Sequence, residues 1–224
     1  MDPHRKEWNQ RQKTLRQRLS HLEDHSQVIE LFLYQHAMVH AAQMAQAELW
    51  SFQDEALNGL TDQNMRLIPP GCKHSMVWVL WHLTRIEDVT MSLLVADIPQ
   101  LFQDEDWAGR MKVDLRTTGN EMEDECMAAL NTMIDIAALR TYRLSVGRRT
   151  REIARLLQPE KLHQKVAPAR LDQVREEGAV LPESSDLLNY WGGLTIAGLL
   201  LMPPTRHPFI HWNEALRIKK KIPL

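Results

Sequence analysis

The residues of this chain best suited to chemistry are histidines, and their spacing says which could act together. In TRHPFIHW, His207 and His211 lie four positions apart. On a helix that spacing puts both imidazoles on one face, one turn apart, where they can converge on a single ion if a third ligand meets them. His82 is the candidate third ligand. In SMVWVLWHLTRIEDV it shares a helical face with Trp78, Val79, Ile86 and Val89, so its ring points toward the core. Three neutral imidazoles are a known zinc set with a position left open for water or substrate, and such an ion acts as a Lewis acid. Spacing leaves a second reading open, in which His82 is a core histidine bonded to a carbonyl.

Other groups are weaker. His36 and His40 are also four apart and could supply a fourth ligand or a partner to one, although the spacing favours an exposed or interface pair. Glu87, five residues after His82, lies about 140° around the helix from it and supports the site only if packing brings it back. A di-iron bundle needs two Glu-x-x-His motifs, whereas Glu160 to His163 is a single one beside Pro159. Cys72 has no evident base nearby and receives no role. His21, His74 and His163 read as solvent-facing. The chain has no G-x-S-x-G, phosphate loop or Cys-x-x-Cys to support serine hydrolysis, nucleotide hydrolysis or dithiol redox chemistry.

The elements that must carry these residues read as all-α. Trp8, Leu15, Leu19 and Leu22 form a narrow apolar stripe, expected to dock on the bundle or on a second subunit. Residues 26–57 read as one helix and 75–97 as a second. The polar stretch 97–118 is too long for a simple turn between antiparallel helices and suits a crossover. Residues 120–157 read as one long helix and 158–183 as an exposed connection with room for one short helical turn. A shorter apolar segment runs to Leu201. Pro203-Pro204 is expected to end it, with Thr205 capping a last helix over 206–219.

Composition narrows the function classes. A formal net charge of −2 offers nothing to a nucleic acid or an anionic membrane surface. The longest apolar run, LTIAGLLLM, is well short of the ~20 residues that span a bilayer. Two cysteines without short spacing, and nothing like a signal peptide, fit a cytoplasmic protein. The length suits one core, divided as a helical extension over 1–25 and a bundle over 26–224.

The run RLIPPGCKHSMVWVLWHLTRIEDV, preceded by LNGLTDQNM, resembles the DinB-like superfamily, with its proline-rich loop and W-H-L/I-x-R/H-x-E-D helix. The terminal RHPFIHWNEA is similar to that family's last-helix His-x-x-x-His. The resemblance covers most of 26–219 and implies a four-helix bundle in up-down-down-up order. It also implies a divalent ion, zinc or nickel, on His82, His207 and His211. Family members with known activity include thiol-dependent S-transferases and a thiol-dependent isomerase. A metal-dependent enzyme acting on a small molecule with a low-molecular-weight thiol or water, and assembled as a homodimer, is therefore expected. The alternative is a non-catalytic bundle with a structural ion or none, acting through association. The double proline, the His211-Trp212-Asn213-Glu214 ending and residues 1–25 depart from the family pattern.

Overall fold

A computed structural model describes residues 2–21, 24–45 and 50–223. Among these residues the chain is helical, its one β contact being an isolated bridge between Lys165 and Thr195. Helix α1 (Pro3–His21) packs along α2 (His25–Met38), so the amphipathic arm docks on its own chain. Its stripe is the reason: Trp8, Leu15 and Leu19 are buried. Leu22 lies outside the described residues.

The expected helix over 26–57 is interrupted. α2 stops at Met38, and α3 (Phe52–Leu57) begins at Ser51, whose hydroxyl accepts from the Asp54 N–H. Periodicity predicted continuity, yet the Val39 carbonyl is claimed by the Trp212 indole at 2.8 Å and approached by the Arg143 guanidinium at 3.4 Å. Side chains from two other helices thus end this one, and His40 falls in the turn after it. Leu49, assigned to the same apolar band, lies outside the described residues. Helix α4 (Asp62–Arg66) closes a capping box with Thr61 and Asn64.

Helix α5 (Met76–Asp88) is capped by Ser75 and buried over its whole length. It continues as a π-helical segment over Val89–Ala96, so the rod ends near Asp97 as periodicity predicts. The crossover after it contains the short helices α6 (Leu101–Asp104) and α7 (Trp107–Met111). Both Asp88 carboxylate oxygens hold the start of α6, accepting from the Leu101 and Phe102 N–H groups at 3.1 and 2.9 Å.

The expected helix over 120–157 is two helices, α8 (Asp124–Met133) and α9 (Ile136–Leu156). Asp135 caps the second, and its own N–H donates to Met111 O. The Arg66 guanidinium takes the carbonyls of Asn131, Thr132 and Ile134 that a continuous helix would have used. The stretch read as exposed connection contains α10 (Pro168–Glu176) and buries Leu162, Val166, Val174 and Val180. Its apolar residues are too widely spaced to show a period.

Helix α11 (Ser185–Gly193) leads to α12 (Ile196–Leu201), and Met202–Arg206 forms a π-helical turn that runs directly into α13 (His207–Lys219). Pro203-Pro204 therefore does not end the helix, and Thr205 does not cap. Its hydroxyl instead lies 3.0 and 2.9 Å from the Leu200 and Leu201 carbonyls. Widening the turn accommodates two residues that lack an N–H. Helix α5 packs on α9 and α13, and those contacts bring the far-apart histidines together.

Candidate metal centre

His82, His207 and His211 meet. Each offers a ring nitrogen within 4.8 Å of the others, and the ring centroids are 4.9, 4.9 and 4.6 Å apart. His82 Nε2 and His207 Nε2 are 3.1 Å apart. Two nitrogens bonded to one tetrahedral zinc at ~2.0–2.1 Å would be separated by roughly 3.3 Å, so the spacing fits a shared ion. The three rings come from α5 and α13 and meet where those helices pack.

Hydrogen bonds at the far side of two rings fix which nitrogen is bare. His82 Nδ1 donates to the Thr118 carbonyl at 2.7 Å, and His211 Nδ1 donates to Glu214 Oε2 at 2.9 Å. An acceptor at Nδ1 sets that tautomer and leaves the Nε2 lone pair for an ion. His207 Nδ1 is buried without a partner among the described residues. Burial, followed by the charge of His211, pushes His82 down to about 3, so it stays neutral at neutral pH. Burial and the neighbouring imidazoles also hold His207 well below its ordinary value. The residues fit a divalent cation on donor type and spacing, and His82 and His207 fit it on protonation as well.

The support around the triad comes from distant parts of the chain. Trp78, Trp81, His82 and Arg85, on one face of α5, donate to the carbonyls of Gly119, Thr117, Thr118 and Arg116 in turn. The crossover is thereby clamped along α5, with Thr118 O delivered to His82. Gly119 permits this approach. Its φ is +85°, and a Cβ there would lie 3.2 Å from the Trp78 indole nitrogen. Across the site, Glu214 accepts from both His211 and His74, the latter at 2.7 Å. Burial pushes the Glu214 carboxyl up, but these two imidazoles outweigh it and hold it at about 2. His74 also stacks on Trp78 at 3.6 Å, and Trp78 on His82 at 4.5 Å. The expectation that His74 faces solvent is therefore corrected: it is half-buried in the wall of the site. Periodicity missed it because His74 precedes the helix and its partner Glu214 is remote in sequence.

His36 and His40 are not an exposed pair either. Both are fully buried, and their Nε2 atoms donate to Glu87 Oε1 and Oε2 at 2.8 and 2.9 Å. The Arg143 guanidinium reaches Glu87 Oε2 at 2.8 Å. Gly147 leaves room for this arrangement, since a Cβ there would lie 2.7 Å from His40 Nδ1. The His-His-Glu set has metal-like donors. Arg143 already supplies the positive charge that balances Glu87, and a divalent ion beside it would be repelled. Burial pushes the Glu87 carboxyl up, and His40, Arg143 and His36 together hold it well below its ordinary range. Burial keeps His36 and His40 neutral. This is a closed ionic knot joining α2, α5 and α9, and Glu87 belongs to it rather than to the triad.

Size alone does not locate the site. An open groove of ≈ 830 Å³, lined in part by Arg149, Glu152, Lys161 and Arg170, contains no triad residue. The chemistry does locate it. Three imidazoles converge between a central helix and the last one of an all-α bundle. Residues 47–181 match the DinB superfamily, and the chain belongs to that family. The match includes His82 and stops before α13. No curated protein matches the chain.

Proposed function

We propose that this protein is a metal-dependent enzyme in which His82, His207 and His211 hold one divalent ion, zinc or nickel, at a site that takes a small-molecule substrate and a low-molecular-weight thiol. The observation that carries this reading is the convergence of three imidazole nitrogens, two of the rings having Nδ1 held by Thr118 O and Glu214. A bound divalent ion supplies a Lewis acid that makes a thiol or water more acidic. The chain's own residues hold the rings in place, and Trp78 with His74 shields one side of them from water. The His211 side chain is 16% exposed, which gives the site a way to solvent. Family membership and the triad together fit a metal-dependent enzyme; the thiol rests on the family resemblance alone.

The burial of His82 favours one other reading, an ion that only staples α5 to α13 in a non-catalytic bundle. A cytoplasmic location, a homodimer and a bundle domain over 26–224 with 1–25 as its extension belong to the same proposal. Thiol consumption separates the two readings. Metal-loaded protein is incubated with glutathione or cysteine and a halogenated acceptor, and free thiol is followed by colorimetry. Turnover that disappears in His207→Ala is expected. Equal thiol loss in wild type and His207→Ala, with either thiol, would favour the staple.

A further inference from the structure

We propose that α1 is a splint for the ion-binding helix, with Gln12 and Trp8 as positioning residues for His207 and His211. This rests on the reading of the triad as a metal site. The need for a splint lies in the double proline. Pro203 and Pro204 bring no N–H into the rod over 196–219, and the chain answers with a π turn in which the His207 N–H donates to Met202 O. A π turn holds one more residue than an α turn. Reverting to α geometry would rotate everything after it by about 100° relative to α12. His207 and His211 would then turn away from His82. The site therefore exists in one helical register, which short π segments hold poorly on their own.

Helix α1 grips that register on both sides of His207. Gln12, itself buried, donates from Nε2 to Leu201 O at 3.0 Å and to Thr205 Oγ1 at 3.1 Å. These are the C-terminal end of α12 and the hydroxyl that lies across the Leu200 and Leu201 carbonyls. Gln12 is fixed in turn by Gln35, whose Nε2 donates to Gln12 Oε1 and to Trp8 O, both at 3.0 Å. Beyond the π turn, the Trp8 indole stacks on Phe209 at 3.9 Å and 5°. Phe209 lies midway between the two ligand histidines. Arg206 adds a bond to Asn9 at 3.1 Å. A helix needed only to cover apolar surface would not require a buried amide aimed at the last carbonyl of α12. Residues 3–21 lie outside the family match.

The test is cobalt(II) titration of the full-length protein, read by visible absorption, with urea unfolding of the metal-free protein alongside. Gln12→Met keeps the length and loses the hydrogen bonds; Trp8→Leu loses the stacking and Trp8→Phe keeps it. Gln12→Met and Trp8→Leu are expected to bind cobalt roughly 10-fold or more weakly, the range seen when groups supporting a ligand are removed. Their d–d bands should differ from wild type, and Trp8→Phe should restore both properties. Should Gln12→Met fail to fold, the Leu and Phe variants of Trp8 decide the matter. Wild-type affinity and spectrum in Gln12→Met and Trp8→Leu, even with lowered urea midpoints, would overturn the splint and leave the metal site standing. Cobalt binding in His82→Ala equal to that of wild type would instead overturn the metal reading, and the splint with it.

Discussion

Replacing Glu87 by Ala is expected to cost the folded state about 3–5 kcal/mol, the usual result of removing one partner from a buried ion pair. Glu87 accepts from His36, His40 and Arg143, all fully buried. Its loss strands the Arg143 guanidinium in a dry interior with, among the described residues, a 3.4 Å contact to Val39 O as its remaining hydrogen bond. That cost is a large part of a typical domain's 5–15 kcal/mol. Replacing Glu87 and Arg143 together by Met removes both charges and should cost less than Glu87→Ala alone. Urea unfolding of the metal-free variants measures both. A Glu87→Ala loss below about 1 kcal/mol would mean that water or a rearrangement satisfies the knot, contrary to its observed closure.

Acid should unfold the metal-free protein well above the pH at which carboxylates titrate. In the folded chain burial holds His36, His40 and His82 neutral, His82 down to about 3. In the unfolded chain the same imidazoles protonate below ~6.5. Between those limits the unfolded state binds more protons, so stability falls as pH falls. Each such histidine contributes a slope of up to about 1.4 kcal/mol per pH unit, so the three together reach about 4. His207 shifts in the same direction. Glu87 acts in a lower window: its stabilisation is complete above its unfolded value, near 4.5, and is lost only as pH falls through its depressed folded value. Urea midpoints in chelator at pH 7 and pH 5 should therefore differ by several kcal/mol of stability. Equal midpoints would show that the imidazoles are charged or accessible in the folded protein. With the ion bound, the loss should be steeper, because protons and metal compete for the same nitrogens.

Each histidine of the triad was legible locally as a candidate, but that α5 and α13 adjoin was implied only by the family resemblance. His207 and His211 share a face through their spacing, His82 turns inward through the apolar residues around it, and Ser75 marks where α5 begins. The groups that hold the triad were not legible, because each is delivered by a remote segment. Thr118 O reaches His82 by way of the crossover, and Glu214 pairs with a histidine 140 positions earlier. The helix breaks have the same origin. α2 stops where Trp212 and Arg143 reach the Val39 carbonyl, and Arg66 divides α8 from α9 by taking three carbonyls. Pro203-Pro204 reads locally as a stop, and only the wider turn, with Thr205 and Gln12 beside its carbonyls, lets the rod continue. Propensity describes what a segment prefers alone, and packing decided otherwise at these points.

Whether His82, His207 and His211 hold an ion is decided by metal content per chain, measured on protein purified without chelator or affinity tag. His82→Ala, His207→Ala and His211→Ala are compared with wild type and with His21→Ala and His163→Ala, whose side chains are exposed. His74→Ala is unsuitable as a control, because His74 shares Glu214 with His211. About one divalent ion per chain is expected in wild type and both controls, with its loss in each of the three triad variants. Full retention of the ion in His82→Ala would contradict that site.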